Sequence, residues 1–226
     1  MSIVGSVEGG VLKELLKVIS VNVLGADKMA QTPNTRLVIL GITGVGKSAL
    51  VVRFISKRFI WEYDPTLECI YKHSICLDDE NITMEILDTA GSTDNLHQEG
   101  NICWGDGFIF VYSINDRDSF DQIQHLYKLV CSLKKMNEVP CVIVGNKNDL
   151  DHDRQVSIEE GEQLALKLSC IFYECSACEG GDVVNEIFIE LHHSILRRRL
   201  VQPPRRRSSA HQVIHVLNKM FTKINS

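Results

Sequence analysis

The segment from Gly41 to Ser48 constrains the fold of this chain more than any other. It reads Gly-Ile-Thr-Gly-Val-Gly-Lys-Ser and matches G-x-x-x-x-G-K-[ST], a loop whose backbone amides surround phosphate groups. The apolar run at 36–40 predicts a buried strand before the loop, and 48–57 predicts a helix after it. Because glycine lets successive N–H groups converge on one anion and a helix N-terminus is partially positive, this unit predicts phosphate binding. A plain glycine-rich turn between a strand and a helix is the alternative.

Two side chains in this loop are expected to carry specific roles. Lys47 is expected to reach the β- and γ-phosphates of a nucleotide, and the Ser48 hydroxyl is expected to bind Mg²⁺. The residues expected to contact the nucleotide here are Gly41, Ile42, Thr43, Gly44, Val45, Gly46, Lys47, Ser48 and Ala49.

A carboxylate lies at the end of the predicted strand at 82–88. Asp88 ends the run 82–88 and opens the sequence Asp-Thr-Ala-Gly, which finishes at Gly91. Because the carboxyl ends of strands in an open α/β sheet face the ligand crevice, Asp88 is expected to hold Mg²⁺ through water. The N–H of Gly91 is expected to point at a γ-phosphate. The alternative is an ordinary turn, and the position of this segment between the other motifs argues against it.

The segment 146–149 indicates which base is bound. It reads Asn-Lys-Asn-Asp and follows an apolar run that predicts a buried strand. Asp149 can accept hydrogen bonds from N1–H and the exocyclic amine of guanine, whereas adenine would leave this carboxylate unpaired. Lys147 is expected to lie along the base, and Asn146 is expected to join this loop to the phosphate loop. The alternative is a common Asn/Asp-rich turn.

Thr66 lies in a polar connection that reads Tyr-Asp-Pro-Thr. Its hydroxyl is expected to bind Mg²⁺ and its amide to contact the γ-phosphate, so that the segment is ordered only when a triphosphate is bound. Taken alone, the same four residues form an ordinary turn.

These segments, in this order, resemble those of small GTPases of the Ras superfamily over residues 35–200. The runs 57–68, 174–178 and 205–209 resemble one branch, the Ras-related and estrogen-regulated growth inhibitor group. The resemblance implies a P-loop NTPase fold of class α/β, with a six-stranded, mostly parallel sheet flanked by five helices. It also implies a signalling switch that hydrolyses GTP. By the same resemblance Phe59 packs on guanine, Ser176 and Ala177 contact the base through backbone, and the catalytic residues are Lys47, Thr66, Gly91 and Ser92.

The chain departs from the family pattern at the reaction centre. Ser92 stands where the family usually has Gln, whose amide orients the attacking water. Because a serine hydroxyl is too short to take that place, we expect slow hydrolysis. Thr43 would project toward the γ-phosphate and an activating arginine, or is simply accommodated. The alternative function is a catalytically impaired GTP-binding module with constitutive effector binding, although Thr66, Asp88 and Gly91 favour a switch.

The element pattern alternates strands and helices, which predicts a doubly wound sheet. Predicted strands are 36–40, 69–77, 82–88, 108–113, 141–146 and 171–175, and predicted helices are 48–57, 118–136, 157–169 and 182–199. The segment 89–106 is predicted to be variable. The polar run 78–81 is expected to turn between two antiparallel strands. Sequence analysis divides the chain into an extension at 1–34, which is either a short amphipathic helix or disordered, the GTPase domain at 35–200 and a tail at 201–226.

The charge distribution and the cysteine content indicate where the protein is located and what its tail could contact. From Leu196 onward the chain has six arginines, two lysines and no acid, so this part carries +8 and the remainder −13 of a net charge of −5. The tail also has an apolar stripe, so reversible contact with a membrane, binding to a partner and folding back all remain open. Eight cysteines without a signal peptide favour a reducing cytoplasm, with transient nuclear or membrane association as alternatives.

Partners are expected to be those of a monomeric switch. GTP or GDP with Mg²⁺ occupies the site, and effector, exchange and activating proteins bind through 60–68 and 89–100. No C-a-a-X box is present, so no prenyl anchor is expected. Specific nucleic-acid binding is not expected, because no aromatic residues separate the tail arginines.

Overall fold

A computed structural model describes residues 34–59, 68–77, 79–89 and 95–201, except for the side chains at 95–97. A six-stranded sheet lies at the centre of this described part. Its strands are β1 Thr35–Leu40, β2 Cys69–Leu77, β3 Glu80–Asp88, β4 Gly107–Ser113, β5 Cys141–Asn146 and β6 Ile171–Cys175. Across the sheet the order is β2-β3-β1-β4-β5-β6. β2 is antiparallel to β3, and the remaining neighbours are parallel. The predicted fold class is therefore confirmed.

The turn predicted between two antiparallel strands lies between β2 and β3. Asp79 adopts a left-handed conformation there, with a φ of 65°, which aspartate tolerates better than most residues. β3 begins at Glu80, so the turn is shorter than the predicted run of 78–81. A short turn of this kind fits directly adjacent antiparallel strands.

The described residues contain five α-helices and one 3₁₀ helix. These are α1 Lys47–Ser56, α2 Asn95–Trp104, α3 Arg117–Lys134, α4 Ile158–Leu168 and α5 Asp182–Val201, with the 3₁₀ helix at Asn148–Asp153. α2 forms within the segment 89–106, which the sequence pattern predicted only to be variable. Its sequence is mostly polar and contains Gly100, so its apolar period is weak. Ile102, which is fully buried, packs with the core and supplies the tertiary contact that local propensity lacks.

Two apolar layers cover the two faces of the sheet. Alternation along β1 shows the division: Leu37 and Ile39 pack in the layer that contains α1 and α5, whereas Val38 and Leu40 pack in the layer that contains α3 and α4. β4 is buried at every position, as expected for a central parallel strand covered on both sides.

Side-chain caps fix where α3 and α4 begin. Asp116 accepts a hydrogen bond from the Ser119 amide at 3.2 Å, and Ser157 with Glu160 forms a reciprocal capping box. These caps lie after β4 and after the 3₁₀ helix, so they hold the chain at the edge where the parallel strands end. No helix among the described residues has the length and hydrophobicity needed to cross a bilayer.

A buried histidine predicts how the fold responds to acid. His192 is 2% exposed, and its Nδ1 lies 3.0 Å from the Thr35 hydroxyl. Burial, helped by the positive charges of His193 and Arg199, lowers the pKa of His192 to about 4. Between pH 6.5 and 4 the unfolded chain therefore binds a proton that the folded chain does not, and stability falls as the pH falls. We expect His192 to account for a loss of about 2–3 kcal/mol in the free energy of unfolding across this window.

Urea unfolding of the parent, His192→Gln and His125→Gln between pH 7 and pH 4 checks this expectation. His192→Gln should flatten the pH dependence, whereas the exposed control His125→Gln should retain it. Parallel pH profiles for the parent and His192→Gln would contradict the assignment.

Candidate nucleotide-binding site

One buried amide connects the three loops that follow β1, β5 and β6. Asn146, at the end of β5, is 1% exposed. Its Nδ2 donates to the carbonyl oxygen of Val45 at 2.8 Å, and its Oδ1 accepts from the Ala177 amide at 3.1 Å. Because an amide side chain offers both donors and an acceptor, a single residue ties the 41–46 loop, the 146–149 segment and the 176–178 loop together.

Glycine at position 46 allows this close approach. Gly46 has a φ of 95°, and a Cβ built there would lie 2.2 Å from Asn146 Nδ2. Gly46 also occupies the N-cap of α1, where it brings no side-chain acceptor for the first helical amides. Those amides keep the capacity to bind an external anion, as a phosphate site at a helix N-terminus requires.

Lys47 and Asp88 are both buried beside this loop, and the charge of each acts on the other. Lys47 is 6% exposed, and its Nζ donates to the Ile42 carbonyl oxygen at 3.0 Å. Burial lowers the pKa of Lys47, and the negative charge of Asp88 opposes that change. Burial raises the pKa of Asp88, while a hydrogen bond from Ser48 and the charge of Lys47 oppose it. Each charge thus reduces the desolvation cost of the other.

The oxygen atoms at this position fit a hard divalent cation. Asp88 Oδ1 is buried and has no hydrogen-bond partner among the described residues. The Ser48 hydroxyl, which contacts the same carboxylate, is a second oxygen ligand of the type Mg²⁺ prefers. Thr89 donates to the Ile39 carbonyl oxygen at 2.7 Å and so holds the residue after Asp88 against β1.

A cavity of about 360 Å³ lies next to these loops. The Asp149 Oδ1 atom is buried and, within the described ranges, accepts no hydrogen bond. A buried acceptor without a donor costs free energy, which a ligand offering N–H groups would recover. The residues that line the cavity are Gly46, Ala49, Phe59, Asn146, Lys147, Asp149, Leu150, Ala177 and Cys178.

Comparison with known proteins shows the family. The model of the Ras family matches residues 36–197, which include β2 to β6 and all of β1 except Thr35. The chain belongs to the Ras family.

Similar proteins agree with this membership. The chain is 56% identical over 199 residues to the Ras-related and estrogen-regulated growth inhibitor of Bos taurus, and 55% identical to that of Homo sapiens. Each match covers 88% of this chain and all of the relative. It is also 43% identical to the Ras-like protein rasS of Dictyostelium discoideum, over 74% of this chain and 86% of that protein. Ras-family proteins are small GTPases that bind GTP and act as signalling switches.

The predicted site residues of this Ras-family protein lie in different parts of the structure. Seven predicted residues line the cavity: Gly46, Ala49, Phe59, Asn146, Lys147, Asp149 and Ala177. Ser176 is buried, and its hydroxyl accepts hydrogen bonds from the backbone amides of Cys178 and Glu179. Its side chain therefore stabilises the loop after β6. Thr66, Gly91 and Ser92 lie outside the described residues, as do the extension at 1–33 and the tail from 202.

The predicted site residues did not include Leu150, Cys178 or Arg53. Leu150 and Cys178 line the cavity of this Ras-family protein, and their positions directly after Asp149 and Ala177 are the signal that could have pointed to them. Arg53 binds the carbonyl oxygen of Ala177 at 2.8 Å from a position 124 residues away in the chain. No local pattern in the sequence indicates the contact between Arg53 and Ala177.

The two glycines at 44 and 46 allow backbone strain to be separated from steric clash. Both have positive φ, but a Cβ at Gly44 meets nothing within 4 Å. We expect Gly44→Ala to lower the free energy of unfolding by about 1–2 kcal/mol, the cost of a left-handed alanine. Gly46→Ala should cost about 2–4 kcal/mol, because it also disrupts the buried hydrogen bond between Asn146 and Val45.

Urea unfolding in EDTA without added nucleotide measures both variants on the same scale. Equal losses for Gly44→Ala and Gly46→Ala would show that Asn146 does not depend on the small size of residue 46.

Proposed function

We propose that this protein is a GTP- and GDP-binding switch that requires Mg²⁺ and hydrolyses GTP slowly. The observation that carries the proposal is the buried, unpartnered Oδ1 of Asp149 in a cavity beside a phosphate-type loop. A base with adjacent N–H donors satisfies this acceptor, and guanine has such a pair at N1 and N2. Adenine lacks the pair and would leave the carboxylate desolvated without a partner.

The phosphates would lie against the 41–46 loop and the N-terminus of α1. Their negative charge suits the amides that Gly46 leaves uncapped and the buried ammonium group of Lys47. Ser48, Asp88 and Thr66 would hold Mg²⁺, which neutralises phosphate charge when it is bound. Support for the first two of these ligands comes from their shared hydrogen bond and the open Oδ1 of Asp88.

Replacing the Asp149 carboxylate, which is proposed to bind guanine, should change which base the protein prefers. Asp149→Asn replaces two acceptor oxygens by one amide, which can donate to the 2-oxo group of xanthine. We expect the affinity for GDP to fall about 10²–10³-fold and the affinity for xanthosine diphosphate to rise. Calorimetry with GDP, xanthosine diphosphate and ADP measures all three affinities.

The exposed Asp153 supplies a matched control, since Asp153→Asn removes the same charge outside the cavity. This control should bind GDP like the parent. A parent protein that binds GDP and ADP equally would overturn the proposed function.

Slow hydrolysis follows from Ser92 and defines the second candidate. A serine hydroxyl does not reach the water that a glutamine amide orients at this position of the family. Thr43, which is exposed on the phosphate loop, would hinder an activating arginine further. If turnover is negligible, the protein is instead a GTP-binding module that engages its effector constitutively. Both candidates share the site and differ in the lifetime of GTP.

A glutamine at position 92 tests the proposed defect. We expect Ser92→Gln to accelerate single-turnover GTP hydrolysis about 10- to 100-fold, because it restores one positioned polar group. Ser92→Ala should hydrolyse GTP at the parental rate, since the serine hydroxyl contributes little. A parent as fast as Ser92→Gln would refute slow hydrolysis, and GTP that persists unhydrolysed on the parent would favour the module.

The proposal about the partners of this switch is based on the sequence. Residues 60–68 and 89–100 would present the surface that effectors, exchange proteins and activating proteins recognise in the GTP state. The basic tail would give reversible electrostatic contact with anionic membrane surfaces. We propose a monomer in the cytoplasm as the working form.

A further inference from the structure

Arg53 connects α1 to the loop that follows β6. Its Nε donates to the carbonyl oxygen of Ala177 at 2.8 Å, and its Nη2 donates to that of Cys178. Its Nη1 donates to the carbonyl oxygen of Lys57 at 3.1 Å, where α1 ends. The planar guanidinium group thus binds three carbonyl oxygens at once, which a lysine ammonium cannot do with the same geometry.

The same guanidinium group faces Phe59. Its central carbon lies 6.0 Å from the centre of the Phe59 ring, at the limit of a cation–π contact. Phe59, Ala177 and Cys178 all line the base cavity, whereas Arg53 does not. Arg53 therefore supports three cavity residues from outside the cavity.

The loop after β6 closes tightly around this side chain. Gly180 has a φ of 84°, and a Cβ built there would lie 3.1 Å from three atoms of the Arg53 guanidinium group. The Gly180 amide donates to the Ser176 carbonyl oxygen at 2.8 Å, which turns the loop back on itself. The conformation of the 176–180 loop is thus adapted to an arginine in this place.

α1 also carries the phosphate side of the site, since Lys47 begins the helix that contains Arg53. A rigid link from α1 to the 177–178 carbonyls fixes the distance between phosphate contacts and base contacts. Binding sites that are fixed in advance lose less conformational entropy when the ligand binds. A looser link would let the base contacts open while the phosphates stay bound.

We propose that Arg53 is a positioning residue that holds Phe59 and the 176–178 loop against guanine and so slows nucleotide release. This inference rests on the proposed function and names a residue that acts on its base site. Phe59, Ala177 and Cys178, which Arg53 contacts, line the cavity that the base would occupy, so a shift of these residues changes the base contacts and leaves the phosphate loop in place.

The test compares Arg53→Gln and Arg53→Lys with the parent. Release of fluorescently labelled GDP is followed after a chase with unlabelled GDP. We expect Arg53→Gln to release GDP about 10- to 100-fold faster, because the charged donors to two carbonyl oxygens are lost. Arg53→Lys keeps the charge but loses the planar set of guanidinium donors, and GDP release should be about 3- to 10-fold faster than from the parent. The exposed control Arg58→Gln should stay within about twofold of the parent.

A second measurement separates positioning from general weakening of the fold. Affinities are measured for GDP and for ribose 5-diphosphate, which keeps the sugar and both phosphates but has no base. The preference for GDP over ribose 5-diphosphate should shrink in Arg53→Gln, because only the base contacts move. A purely structural role would displace α1 and its phosphate contacts, and both affinities would fall by the same factor.

The outcomes distinguish the inference from the function on which it rests. Parental GDP release in both Arg53 variants, or an unchanged preference for GDP despite faster release, overturns the positioning role while the guanine site stands. Arg53→Lys keeps the test open should Arg53→Gln fail to fold. A parent without preference for GDP over ADP overturns the proposed function and the role of Arg53 with it.

Discussion

The buried side chain of Asn146 is the interaction on which the rest of the site depends. It bonds to Val45 on one side and to Ala177 on the other, so three loops from distant parts of the chain share one anchor. The anchor requires glycine at position 46, because any Cβ there would occupy the place of the amide nitrogen. Loss of either contact would leave a buried polar group without a partner, which costs more than the bond itself contributes.

Around this anchor the protein keeps several polar groups ready for a ligand. Lys47 and Asp88 are buried together, and each opposes the change that burial alone makes to the other's pKa. Buried acceptor oxygens of Asp88 and Asp149 have no partner among the described residues. Such groups are costly in a core that only has to be stable, but they suit a site in which a cation and a base complete the hydrogen bonds.

Most of the fold is predictable from the sequence because the signals are local. The apolar runs predict all six strands, and the predicted helix at 157–169 matches α4 to within one residue at each end. The local pattern at 89–106 does not predict α2, whose weak apolar pattern becomes helical through the burial of Ile102. The sequence also does not predict the contact of Arg53 with Ala177, since the partners are 124 residues apart and neither belongs to a shared pattern.

By itself the sequence determined the chemistry of this Ras-family protein: a glycine-rich loop ending in Lys47 and Ser48, and a carboxylate at Asp149 suited to guanine. Spacing and side-chain type suffice for that, because the groups that bind one ligand part lie within a few residues. The tertiary structure decided which loops meet. Parallel strands in the order β1-β4-β5-β6 bring their carboxyl ends to one edge, and only there do Arg53, Phe59 and the 176–178 loop become neighbours.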